Sequence, residues 1–186
     1  VRALADAAEA LGVTDPGASA DIADVALSLV PSRHPLRGPL VARRTVSLFA
    51  AGRSKEARAF ADNALRRSLP AEQEADVRLS LAAMFAISAD DRADNARQGL
   101  SLSGLSANTR ARLWTSLFHN LMVASRLDEG LTIESEVRTS VLASTDLAAQ
   151  YFFQIGRSAM EYQLGRFEVA LRLLQGVDPE VLAGFD

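Results

Sequence analysis

The 186-residue chain has no cysteine at all, which removes disulfides, thiolate metal sites and cysteine nucleophiles together and fits a reducing, cytoplasmic setting. Lysine is nearly absent: Lys55 is the only one, and the other basic residues are arginines. Histidine is represented only by His34 and His119, a poor inventory for near-neutral acid–base chemistry. Aromatic residues make up 6%, and no proline occurs between Ala71 and Val177, so helices there are free of proline breaks. No apolar run approaches the ~20 residues a bilayer crossing needs, and the N-terminus lacks the layout of a signal peptide. The net charge of −3 leaves out the basic excess expected of a nucleic-acid-binding surface, so no direct nucleic-acid contact and no membrane association are expected.

What the chain has instead is alanine and leucine, the two strongest helix formers, within a hydrophobic content of 48%. Apolar residues recur at spacings of three and four, as in Leu79, Ala82, Ala83, Ala86 and in Leu113, Leu117, Leu121, Ala124, the period of amphipathic helices. Breakers fall between such stretches: 12–17, 31–39, Gly52, Pro70, 88–91, 103–108, 144–146, Gly165 and 176–179. They divide the chain into nine or ten helices. Asp15 before Pro16 reads as an N-cap followed by proline at the first helical position, and Ser144, Thr145 and Asp146 offer cap oxygens to another helix.

A repeat organises these helices. Gly52-Arg53-Ser54-Lys55-Glu56-Ala57 matches Gly165-Arg166-Phe167-Glu168-Val169-Ala170, with a small residue five positions after the turn glycine. The same frame fits Gly12 with Gly17, Ser88 with Ala93 and Ser125 with Gly130, so anchors at 12, 52, 88, 125 and 165 are 40, 36, 37 and 40 residues apart. A short connection between antiparallel helices needs a residue tolerant of left-handed dihedrals, and a small residue in the second helix lets the backbones approach. A lone hairpin leaves an apolar face exposed, so neighbours must stack. The expected fold is all-α, one helical-repeat domain over 1–186.

These hairpins resemble tetratricopeptide repeats, on Trp114 as the opening aromatic, Leu48, Met84 and Leu121 four residues before each turn, and Ala57 and Ala64 at the small sites. The pattern departs from the family's where Ser replaces Gly at two anchors and where Glu161 occupies an apolar position. The resemblance implies a right-handed superhelical stack whose first helices line a concave groove. Carried over position by position, it implies groove residues Arg78, Arg112, Thr115 and His119, with Phe49, Phe85, Met122 and Tyr162 at a recurrent site beside the turns. For Phe49 and Phe85, burial between hairpins competes with that reading. Arg112 and Tyr162 are favoured as groove residues because burial would strand their polar ends.

The Ala, Leu and Arg texture, in phrases such as Phe49-Ala50-Ala51-Gly52-Arg53 and Gln163-Leu164-Gly165-Arg166-Phe167, is similar to the helical region of large ATP-binding LuxR-type transcriptional regulators. That resemblance implies a segment that binds an effector or a protein partner and supports self-association. The start at Val1 and the end at Asp186 agree with a piece of a longer, multidomain protein. The competing reading is a stand-alone scaffold taking a peptide or helix in its groove.

Catalytic motifs are missing: no phosphate-binding glycine loop, no His-Glu-x-x-His, no nucleophile elbow. No enzyme activity, cofactor or metal site is expected. His34, in Pro31-Ser32-Arg33-His34-Pro35, reads as a solvated loop residue, and His119 as a hydrogen-bonded structural histidine. Asp90, Asp91 and Asp94 read as acids favoured near a helix N-terminus. The pairs Arg43–Arg44 and Arg66–Arg67 read as solvated helix faces, and Glu134 with Arg138 as a surface ion pair.

Overall fold

The computed structural model describes residues 1–176, and among these there are ten α-helices and no strand. Most of the 176–179 breaker and the last residues of the chain lie outside the described residues. The helices are α1 (Arg2–Ala10), α2 (Pro16–Leu29), α3 (Arg37–Ala50), α4 (Ser54–Leu65), α5 (Ala71–Ala82), α6 (Ala89–Leu100), α7 (Ala107–Val123), α8 (Leu127–Leu142), α9 (Leu147–Gln163) and α10 (Phe167–Gln175). Consecutive helices pair as five hairpins. Each odd-numbered helix also packs on the next, α3 on α5, α5 on α7 and α7 on α9, with a lighter contact from α1 to α3. The result is an all-α helical repeat with the odd helices as one continuous layer.

Three of the five hairpin turns are built alike. Gly52 and Gly165 adopt φ of 77° and 76°, and Ser125 adopts 56°, the left-handed conformation expected of these anchors. In each turn the next residue is an arginine whose N–H reaches back to the carbonyl five positions earlier: Arg53 to Leu48 (2.8 Å), Arg126 to Leu121 (2.9 Å) and Arg166 to Glu161 (2.9 Å). A second bond, from the left-handed residue to the carbonyl three before it, completes a Schellman cap. Of the small residues five positions on, Ala57, Ala93, Gly130 and Ala170 are buried, as a close helix pair requires, whereas Gly17 is only partly buried. Leu48, Met84 and Leu121 are each 1% exposed. Glu161, the polar exception at this site, is also buried and pairs its carboxylate with Arg166 at 3.2 Å, so the arginine of the turn neutralises the acid beneath it.

The other two anchors correct the expectation of one turn design. Ser88 is not left-handed: with φ −59° and ψ 153° it is the N-cap of α6, its Oγ accepting from the Asp91 N–H at 3.0 Å. A serine at this point satisfies an orphan helix donor, and the chain crosses by a longer connection, 83–88, which ends α5 at Ala82 rather than near Ala86. Gly12 also lies outside the left-handed region; there the lack of a side chain leaves room for Arg43, whose guanidinium would be 2.6 Å from a β-carbon. Asp15 caps α2 through the Ala18 N–H (2.9 Å), and Asp146 caps α9 through the Ala149 N–H (3.1 Å).

Three buried clusters run along the stack, around Ala23 and Leu40, around Leu48 and Val77, and around Phe118 and Leu121. Close approach within the odd layer depends on glycine: a β-carbon on Gly38 of α3 would lie 2.6 Å from the Gln73 Cα of α5, and one on Gly156 of α9 would lie 2.7 Å from the Phe118 ring of α7. Side-chain amides then tie α7 to the end of α5 and α9 to the end of α7. Asn120 of α7 donates to the Ala82 carbonyl at the end of α5 (3.1 Å), and Gln163 of α9 to the Met122 carbonyl near the end of α7 (2.8 Å). The first satisfies a carbonyl that the helix C-terminus leaves without an intrahelical donor, and the second adds to the Ser125 N–H that the Met122 carbonyl already accepts.

Candidate functional site

The odd layer encloses a groove of about 780 Å³, lined by residues of α1, α3, α5, α7 and α9 together with Phe85 and Arg92 from the α5–α6 connection and α6. That volume lies within the ~300–1,000 Å³ range of small-molecule sites. Its apolar walls include Leu40 and Val46 of α3, Leu79 of α5 and Phe152 of α9. A second, smaller cavity of about 270 Å³ lies among α2, α3 and α4 and holds none of the residues expected in the groove.

Of the eight residues named from sequence in or beside the groove, Arg112, Thr115 and His119, all from α7, line it, and so does Phe85. Arg112 donates to Asp146, the α9 N-cap, so its charge also ties two hairpins together. Thr115 is 2% exposed and spends its hydroxyl on the Ala111 and Arg112 carbonyls of its own helix, both at 3.0 Å. Arg78, Met122 and Tyr162 stand elsewhere. Arg78 is turned toward α6, paired with Glu74 at 2.7 Å and donating to Gln98. Met122 is 2% exposed in the core, where its Cε would be 2.1 Å from a β-carbon on Gly130. Tyr162 is well exposed and meets Phe167 edge-on at 5.2 Å, outside the groove. Phe49 packs against the core, whereas Phe85 is 70% exposed on the groove.

The structure adds residues the sequence did not single out. Arg92 is 4% exposed, lines the groove, and lays its guanidinium over the Phe85 ring at 4.6 Å. Beside it on α7, Asn120 is 1% exposed. Its amide nitrogen bonds the carbonyls of Ala82 (3.1 Å) and Ser116 (2.9 Å); two acceptors there fix the nitrogen's position and leave Oδ1 on the other side. Arg92 Nε, His119 Nδ1 and Asn120 Oδ1 are all buried without a hydrogen-bond partner among the described residues. His119 therefore departs from the expected hydrogen-bonded role. Burial and the neighbouring Arg92 charge lower its pKa, so the ring is neutral at physiological pH. The signal for Arg92 was its place in α6, on the buried face with Ala96 and Gly99, one position from the acids that drew attention instead.

On α5, Asp76 also lines the groove, and its carboxyl is raised to about 6 by burial first and by the Glu72 charge second, with Arg112 pulling the other way. Glu72 goes down on balance: burial pushes it up, but hydrogen bonds from Thr109 and Ser106 outweigh that. These bonds, Thr109 Oγ1 to Glu72 at 2.6 Å and the Ser106 N–H to the same carboxylate, join α5 to the start of α7. His34 turns its Nδ1 to the Leu36 N–H at 3.2 Å, and its carbonyl accepts from Gln73 at 2.9 Å, which gives this loop residue a local structural part. Arg43 and Arg44 are paired rather than free, with Glu9 at 3.2 Å and Asp24 at 2.5 Å. Glu134 and Arg138 form the expected pair at 2.5 Å.

Among the described residues, no group of three or more His, Asp or Glu is placed to hold a metal ion, and no helix is long and apolar enough to cross a membrane. Compared with known proteins, the chain matches no family model, no curated protein and no solved structure.

Proposed function

We propose that this chain is a non-catalytic effector-sensing module, a tetratricopeptide-like repeat whose groove between the odd helices takes a ligand. The observation that carries this reading is the groove itself: one concave surface contributed by all five hairpins, apolar along its walls, with Arg92, His119 and Asn120 of its lining each holding a buried polar atom that has no partner among the described residues. A few directed polar groups in a largely apolar pocket are what ligand sites generally offer. The texture shared with large ATP-binding LuxR-type regulators supports placing such a module in a transcriptional regulator, in the cytoplasm. Its ligand would bias the relative packing of hairpins, because groove residues on adjacent odd helices move only if the stack moves.

Isothermal titration against a panel of sugars, nucleotides, organic acids and short peptides tests the reading. Binding that is lost in Ala83→Trp, which fills the groove from an exposed position at the end of α5, supports it. Binding unaffected by that substitution, or none across the panel, counts against it.

A further inference from the structure

The groove carries four arginines, and three of them already face a carboxylate. Arg2 pairs with Asp6 at 3.4 Å, Arg43 with Glu9 at 3.2 Å, and Arg112 with Asp146. Arg92 is the exception and the most buried: no carboxylate among the described residues pairs with it, and its guanidinium lies over the Phe85 ring. A buried charge without a counter-ion is unfavourable, and a cation–π contact offsets only part of that cost. Asp76, which also lines the groove, does not serve as the missing partner: among the described residues it forms no ion pair with Arg92.

The atoms beside Arg92 narrow the chemistry. Arg92 Nε–H asks for an acceptor, while Asn120 Oδ1, on the side of the amide away from the two carbonyls that hold its nitrogen, asks for a donor. A positively charged amine as that donor would sit against the guanidinium, so the donor is neutral. The exposed Phe85 ring and the Leu79 wall adjoin the same place and suit an apolar body.

Resting on the proposed groove function, we infer that the ligand is a small organic carboxylate bearing a neutral hydrogen-bond donor, such as a hydroxyl, and an apolar or aromatic body. The carboxylate accepts from Arg92, the donor meets Asn120 Oδ1, and the neutral His119 ring completes the polar wall.

The test follows side-chain and backbone resonances of the isotope-labelled 186-residue chain during titration with four probes: phenyllactate, 3-phenylpropanoate without the hydroxyl, phenyllactamide without the charge, and inorganic phosphate. Phenyllactate should shift the Arg92 Nε–H and His119 signals with saturable, millimolar or tighter affinity. It should bind at least fivefold more tightly than 3-phenylpropanoate and tenfold more tightly than phenyllactamide or phosphate. Arg92→Gln, checked for native helicity, should weaken phenyllactate at least tenfold. Equal binding of phosphate, equal binding of the amide, or unchanged affinity in Arg92→Gln overturns the proposal. If no carboxylate binds but a neutral panel compound binds and is blocked by Ala83→Trp, this inference fails while the groove reading stands. Silence from every compound removes both.

Discussion

Phe118 lies with the edge of its ring against the backbone of Gly156, so that a β-carbon on the glycine would fall 2.7 Å from Cδ1 and 3.0 Å from Cε1. Phe118 is fully buried, and its ring also meets Phe153 at 5.9 Å, which leaves it no room to withdraw. Gly156→Ala should therefore destabilise the fold by about 1–3 kcal/mol, reversing the ~1 kcal/mol that alanine ordinarily gains over glycine within a helix. Gly130→Ala presses instead on the flexible end of Met122 and should cost less. Denaturant unfolding of the two variants would rank them, and the reverse order would show that α7 and α9 are not in such close contact.

Ser125 holds a φ of 56° where the matching turns use glycine. Left-handed backbone costs a residue with a side chain ~1–2 kcal/mol, part of which glycine returns through its more disordered unfolded state. Ser125→Gly should stabilise the chain by about 0.5–1 kcal/mol, and Ser125→Val should destabilise it by more than 1 kcal/mol. Thermal midpoints of the three proteins, measured side by side, provide the check.

Asp76 and His119 give opposite pH dependences. The Asp76 carboxyl is raised to about 6, so between about pH 4 and 6 the folded chain holds the proton more tightly than the unfolded one, and stability falls as pH rises through that window. Asp76→Asn should match the wild type near pH 4 and exceed it by about 1–2 kcal/mol at pH 8, less than a fully sealed carboxyl would yield. His119 is shifted down, so its contribution is present at neutral pH and is lost as pH falls below the ordinary histidine range. His119→Gln should remove that acid-side loss. Unfolding free energies from pH 4 to 8 would separate the two, and parallel curves for all three proteins would contradict the burial of both groups.

Asp146 caps α9 and also receives Arg112, with its side chain only 5% exposed. Asp146→Ala should cost about 1–2 kcal/mol through the lost cap, while Asp146→Asn keeps the cap acceptor and should cost less. The Asp146→Ala loss should appear as faster amide hydrogen exchange in the first turn of α9. Exchange unchanged there would mean that the cap contributes little.

The repeat was legible because it is written in local chemistry. Gly52, Ser125 and Gly165 mark turns whose dihedrals almost dictate their residue type, and Ala57, Ala93, Gly130 and Ala170 mark close helix contacts at a fixed distance along the chain. Ser88 misled the frame because serine serves two purposes, and here its cap chemistry prevailed. The groove was half legible. Arg112, Thr115 and His119, carried over by resemblance onto one helix, do line it, but Met122 and Tyr162 show that a position beside a turn can face the core or the solvent as well as the groove. Arg92 and Asn120 were hidden for a different reason: their roles arise from what three separate helices leave unpaired, and no spacing along one helix encodes that. A polar residue within a buried stripe was the available sign.

Because the groove draws on every odd helix from α1 to α9, it belongs to no single repeat. Solenoid stability is a sum over adjacent units, so a lost or duplicated hairpin can leave the rest folded. The groove's shape obeys a different rule: it depends on the number and order of the units. A change in repeat number that folding tolerates would still reshape the groove, so its shape is less robust to such changes than the fold.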